Sequence, residues 1–247
     1  MKRLSLTSGC IVYFTIVLLT FRVYSQVPGA GSAGGINAAL TKLFGKVTAF
    51  SAQMDLRVVD KAHAEVMSTS MEFAISDKKI RVAVDMSQMH NKEMPPGMGT
   101  ALRQMGMAQV ISIIRPDKKS IYILYPDQKA FLTMPLPEER AIKIQRTELG
   151  KETLDEHPCI KTKAVLTDDK GDQIEAVTWN ASDLKDFPIQ IESTEKEQTS
   201  IMHFKQIRFE KPEADQFEAP ADYQQFKDPQ ELLTSVMKKG AAAPPSK

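Results

Sequence analysis

The sequence predicts a mainly β fold of the α+β class, an antiparallel sheet of about eleven strands with a few helices. Three observations carry that prediction. Ile80, Val82, Val84 and Met86 alternate with Lys79, Arg81 and Asp85, the period of a strand with one buried and one wet face. Turn clusters recur about every ten residues, the spacing of a sandwich, a barrel or a large curved sheet. Helical spacing is confined to short stretches, chiefly Met98–Ala108 and Asp228–Gly240.

Taken in order, the 247-residue chain opens on Lys2 and Arg3, runs apolar from Cys10 to Phe21 except for two threonines, and reaches Val23-Tyr24-Ser25. This is the layout of a secretory signal, residues 1–25, cut between Ser25 and Gln26. The rival reading is a retained anchor, but a spanning helix takes about 20 apolar residues and this run has about 12. The expected protein is exported, periplasmic and without a transmembrane anchor after cleavage. Residues 26–35 are a Gly/Ala/Ser-rich flexible linker. A short helix, about Ile36 to Phe44, follows, with Leu40, Leu43 and Phe44 on one side.

After Gly45 the period changes to two. Ala52, Met54, Leu56 and Val58 form one strand phase; Met67, Met71, Phe73 and Ile75 form another, with Thr69 as a polar exception. Ser76-Asp77-Lys78 joins this run to Ile80–Met86 as a hairpin. Val110–Arg115, Ser120–Tyr125 and Lys129–Met134 are short runs separated by Pro-Asp turns. Their apolar residues occupy both phases, so that part of the sheet should be covered on both faces. Further strands are expected near Thr147–Leu154, Pro158–Leu166, Asp172–Trp179, Pro188–Ser193 and Ser200–Phe209, the last with a bulge near Lys205.

Met98, Ala101, Leu102, Met105 and Ala108 make an apolar stripe on an inserted helix, and Pro95-Pro96-Gly97 before it suggests a movable flap. At the other end Asp228 is an N-cap, Glu231 completes a capping box, Leu232, Leu233, Val236 and Met237 form a buried face, and Gly240 stops the helix. The expected organisation is a half-barrel domain over 36–227, a helix over 228–240 and a disordered tail over 241–247.

Composition narrows the function. There are 32 Lys+Arg against 31 Asp+Glu, and loss of Lys2, Arg3 and Arg22 leaves 29 against 31, a net of −2. No nucleic-acid partner is expected, because such proteins carry a basic excess. Only two cysteines are present; cleavage removes Cys10 and leaves Cys159 without an intrachain partner, so burial is expected for it. There is no nucleotide-binding glycine loop, no nucleophile elbow and no zinc-helix motif, and the four histidines are far apart. No enzyme activity and no cofactor are expected.

Methionine is the anomaly. Met86, Met89, Met94, Met98, Met105 and Met107 crowd one stretch. Thioethers fill cores, line adaptable apolar pockets and ligate Cu(I); a metal reading would use Met89, His90 and Met94. The pocket reading uses an apolar groove lined by Met67, Met71, Phe73, Ile80, Val82, Val84, Met86, Met98, Leu102 and Met105. Asn180-Ala181-Ser182 matches a glycosylation sequon.

Gly150-Lys-Glu152, His157-Pro-Cys159-x-Lys161-x-Lys163, Trp179-Asn-Ala-Ser-Asp-Leu-Lys-Asp-Phe187-Pro-Ile and Phe217-Glu-Ala-Pro220-Ala-Asp-Tyr223 together resemble a family of exported bacterial proteins of unknown function. That family is similar to the outer-membrane lipoprotein carriers and sorting proteins (LolA/LolB-like). The resemblance covers about Thr48 to Tyr223. It implies an unclosed β-barrel of about eleven antiparallel strands, helices capping its mouth, and an apolar concave face that holds acyl chains in the carriers. It implies an acyl lipid or a lipoprotein as partner, with other envelope proteins possible, and a strand arginine that latches the lid helices. Arg81, Arg103 and Arg115 are the candidates. The alternative function is a ligand-free interaction module that binds through exposed strand edges and a charged face.

Overall fold

The computed structural model describes residues 40–138, 141–195 and 197–242. The expected signal and linker, and positions 243–247 of the expected tail, lie outside these. Among the described residues thirteen strands form one sheet. In chain order they are β1 (Ala49–Asp60), β2 (Glu65–Ser76), β3 (Lys79–Asp85), β4 (His90–Asn91), β5 (Gln109–Arg115), β6 (Ser120–Tyr125) and β7 (Ala130–Pro135). Then come β8 (Lys143–Leu154), β9 (His157–Thr167), β10 (Gln173–Ala181), β11 (Phe187–Glu195), β12 (Gln198–Arg208) and β13 (Gln224–Phe226). The eleven expected strands are all here. The two extra ones are β4 and β13, of 2 and 3 residues, too short to show a period.

The strands lie in the order β13-β7-β6-β5-β3-β2-β1-β12-β11-β10-β9-β8, with β4 beside β2. All recorded pairings are antiparallel except β13 on β7. β7 and β8 follow one another in the chain yet sit ten strand spacings apart, about 48 Å if the sheet were flat. The eight Cα steps from Pro135 to Lys143 reach at most about 29 Å. The sheet must therefore curl until its two ends approach, and no pairing joins β8 to β13. It is an unclosed barrel.

Local chemistry sets the registers. Asp77 and Lys78 both have positive φ (50° and 68°), the two-residue turn whose twist matches a hairpin. It places Ile75 opposite Ile80, Phe73 opposite Val82 and Met71 opposite Val84. The expected bulge lies in β12. Two residue steps along β1, from Ser51 to Gln53, match three along β12, from Arg208 to Lys205, and Gln206 takes φ 50°. That extra residue brings Ile207 back toward the core that Met202 and Phe204 already occupy.

Both faces of β5–β7 are covered, as their two-phase apolar pattern requires. On the outer face Ala74, Ile113, Leu124 and Phe217 form a separate core with Ile111, Tyr122, Phe131 and Tyr223. The chain after β12 crosses this face through a short 3-10 turn, Ala214–Phe217, before β13 joins the edge. Arg115, 5% exposed, pins the crossing segment. Its Nη1 donates to the Phe217 carbonyl at 2.9 Å, and Nε and Nη2 grip both oxygens of Asp117 at 2.9 and 2.7 Å. Glu218 completes the ion pair. Held by the guanidinium, the Asp117 carboxyl falls from its usual range to about 2.

The helices lie on the inner side. Residues 40–43 are helical, and Phe44 closes the turn on the Leu40 carbonyl. Helix α1 (Met98–Gln104) is shorter than its apolar stripe suggests. Gly106, at φ 62°, ends it in a Schellman motif: Met107 N–H bonds Leu102 O at 2.9 Å and Gly106 N–H bonds Arg103 O at 3.0 Å. Helix α2 (Pro229–Ala242) starts as expected, with Glu231 N–H on Asp228 Oδ1 at 2.8 Å. The return bond to Glu231 Oε2 comes from Lys227 N–H, one residue before the cap. The helix continues past Gly240, because an interior glycine costs only about 1 kcal/mol and two strong helix formers, Ala241 and Ala242, follow.

Candidate functional site

Ladder registers tie the inner phase together from strand to strand. Phe50, Ala52 and Met54 of β1 face Ile75, Phe73 and Met71 of β2. Val82 faces Ser112, and Ser112 faces Ile123. One hydrophobic core runs along this phase and takes in Leu40, Leu43 and Phe44, Leu102 of α1, and Leu232 and Val236 of α2.

That inner face has two unlike halves. Around β1, β11 and β12 it is sealed. Phe50, Phe187, Ile189 and Ile191 have no exposed surface. Phe44 lowers its ring into the sheet, with centroids 4.8 Å from Phe50, 5.3 Å from Phe187, 5.5 Å from Phe204 and 6.0 Å from Phe73. The plug is held from the sheet edge. Arg146 of β8 donates Nη2 to the Lys42 and Leu43 carbonyls at 2.8 and 3.2 Å. A cation there satisfies the orphan carbonyls at the helix C-terminus and suits its dipole.

Across β2, β3, β5 and β6 the inner face is looser. Met71, Val82, Ile114 and Ile123 belong to the inner core and are only half-buried. β3 and β5 are interior strands, so this exposure is not an edge effect. At the end of this half where β3 ends and β5 begins, α1 adds buried Leu102 and half-buried Met98 to the core, with half-buried Met105 at its C-cap. α1 is anchored at both ends. A side chain at Gly99 would meet the Ser87 carbonyl at 2.7 Å, so only glycine permits that approach. Arg103 donates to Ser87 Oγ at 3.0 and 3.2 Å, and Gln128 Nε2 to the Met105 carbonyl at 2.7 Å.

The ten residues singled out in the sequence as groove lining all belong to the inner core or pack against it. Met67, Phe73, Ile80, Val84, Met86 and Leu102 are buried in the inner core; Met71, Val82, Met98 and Met105 pack against it half-buried. Phe73 belongs to the aromatic plug, not to the loose half. Ile114 and Ile123 went unnoticed, because apolar residues on both phases of β5 and β6 hid which phase faces inward. Arg146 was missed because it lies one residue before the expected start of its strand. Of the arginine candidates, Arg103 fastens α1 through Ser87, from the helix and not from a strand; Arg81 pairs with Glu72 at 3.2 Å, and Arg115 pins the outer segment.

Of the metal set, Met89 is buried and Met94 half-buried in the inner core, while His90 is exposed on β4 opposite Ser68. Among the described residues no group of three His, Cys, Asp or Glu could hold a metal ion. Cys159 is buried, with Sγ 3.4 Å from the His157 carbonyl, and burial raises its thiol pKa. The Asn180 amide is committed to Thr178 Oγ1 at 2.9 Å, Ile160 O at 3.2 Å and Thr162 Oγ1 at 3.3 Å. A glycan on Nδ2 would remove one of its two N–H donors, so these contacts could not all persist. No described helix is long and apolar enough to cross a membrane.

No protein-family model matches the sequence, and no curated protein matches it. Solved structures do. One is a LolA superfamily protein from Nitrosomonas europaea, 8% identical, with TM-score 0.36 over 76% of this chain and 98% of that one. LprF from Mycobacterium bovis is 8% identical, with TM-score 0.41 over 78% and 100%. The lipoprotein LppX of Mycobacterium tuberculosis is 11% identical, with TM-score 0.37 over 71% and 93%. The LolA kind of structure implied by the motifs is thus among those the chain is similar to.

Proposed function

We propose that this protein is an exported, periplasmic carrier that binds an acyl chain, of a lipid or a lipoprotein, between the loose half of the inner face and α1. The supporting observation is the half-burial of Val82, Ile114 and Ile123 on interior strands of the inner face. A core packed like the sealed half would leave such side chains without solvent contact. Solvent reaching them marks apolar space beside them, the raw material of a ligand site. Met71, Met98 and Met105 line the same space with unbranched side chains that re-pack around different chains. Ile80, Val84, Met86 and Leu102 form its floor and roof, and Met67 and Phe73 its boundary with the plug. About ten buried methylenes supply about 8 kcal/mol before ordering costs. No cofactor takes part, and residues 1–25 direct export.

Native mass spectrometry of the exported protein, purified without detergent, tests this. The expected result is a co-purified mass that fragments into acyl chains. A bare mass that stays bare on incubation with a long-chain fatty acid overturns the proposal.

A second reading has its own observation. Strand β8 offers an unpaired edge of 12 residues, and Leu149, 53% exposed, bulges from it between Glu148 and Gly150. An interaction module would use this edge to add a partner strand. A bare protein whose binding to envelope proteins is lost on introducing proline at Thr147 favours it.

A further inference from the structure

Ten of the twelve methionines among the described residues belong to the inner core or pack against it, and they fall into two classes. Met54, Met67, Met86, Met89, Met107 and Met202 are buried in the inner core. Met71, Met94, Met98 and Met105 pack against that core and stay half-buried. These four gather at α1 and the strand it covers: Met71 is on β2 opposite Val84, Met94 and Met98 flank the Pro95-Pro96-Gly97 entry to α1, and Met105 caps its end. Half-buried Met134 on β7 and exposed Met237 on α2 stand outside the inner core, so the methionines of that core that solvent reaches are these four.

We propose that Met71, Met94, Met98 and Met105 are an oxidation-sensitive lining through which hydrogen peroxide releases the bound chain. This rests on the carrier reading and names its regulation. A sulfur lone pair attacks one peroxide oxygen, the O–O bond breaks, an S–O bond forms, and the second oxygen leaves as water after proton transfer. Sulfur is oxidised by two electrons and the peroxide is reduced by two. The sulfoxide is a strong hydrogen-bond acceptor. An alkyl chain and an apolar lining offer it no donor, and the inward Ser112 hydroxyl between Val82 and Ile123 is buried, so it favours water over an alkyl chain in the same space. Methionine sulfoxide is reducible by dedicated reductases, so the change is reversible.

The test combines peptide mass mapping with displacement of a fluorescent long-chain fatty acid. Under graded hydrogen peroxide, one added oxygen should appear at Met71, Met94, Met98 and Met105 well before the six buried methionines. Affinity for the probe should fall about tenfold or more as it does, with the far-UV circular dichroism unchanged. In the variant with all four changed to leucine, whatever its untreated affinity, the same treatment should cause no further loss. Met237, 49% exposed on α2, is the control: Met237→Leu should leave the loss intact. Equal oxidation of buried and half-buried methionines overturns the proposal, as does probe binding that survives complete oxidation of the four, or an equal loss in the leucine variant. If the untreated protein binds no probe, the carrier reading fails and the switch fails with it; binding that resists oxidation defeats the switch alone.

Discussion

The sealed and loose halves of the inner face are built from the same pleated sheet, and they differ in what lies over them. Around β1, β11 and β12 one flat, rigid residue, Phe44, meets four rings at 4.8–6.0 Å. On the β2 to β6 side the helix that joins the core has seven residues and, with its C-cap, adds one leucine and two methionines. Rings of fixed shape interlock and exclude solvent, whereas thioethers on flexible stems cover a surface without filling it. The sealed half holds the barrel together, and the loose half is where the proposed ligand would lie.

The largest effects should come from the sealed half. Phe187→Ala should destabilise the protein by about 3–5 kcal/mol in urea unfolding, because the plug cannot collapse around the lost ring. Adding volume separates the halves more sharply. Ala52→Phe, opposite Phe73, should cost about 1–3 kcal/mol. Val82→Phe, the neighbouring position across Phe73, should cost well under about 1 kcal/mol yet weaken fatty-acid binding about tenfold. Equal costs at the two sites would erase the distinction.

Arg146→Ala should cost about 1 kcal/mol and speed amide hydrogen exchange at residues 40–44 while leaving α1 unchanged. The smallest effect is in acid. The folded Asp117 carboxyl sits at about 2 against 3.8, so its contribution is full above about pH 4 and is lost as pH falls through 2. The carboxylate is 54% exposed, so solvent screening limits the contribution to under about 1 kcal/mol. Asp117→Asn should flatten that part of the stability–pH curve.

Much of this architecture was legible in the sequence because it rests on local rules. Alternation gave the eleven long strands, the Asp77-Lys78 pair a hairpin, the phase change after Phe204 a bulge, and Asp228 with Glu231 a helix start. What stayed hidden depends on partners distant in sequence. Phe44 is a single aromatic after a short helix, and nothing local says it meets Phe187 and Phe204. The inward phase of β5 and β6 is set by the register with β3, not by their own composition. Gly106 was visible, but its power to stop α1 was masked by an apolar stripe that continues to Ala108.

The most direct measurement is photo-cross-linking with a long-chain fatty acid carrying a photoreactive group on its alkyl tail, followed by peptide mass mapping. Adducts on Met71, Val82, Met98, Met105, Ile114 and Ile123, competed away by excess unlabelled fatty acid, are the predicted result. Adducts around Phe50 and Phe187, or on the outer face, or labelling that unlabelled fatty acid does not suppress, would contradict a carrier built on the loose half of the barrel.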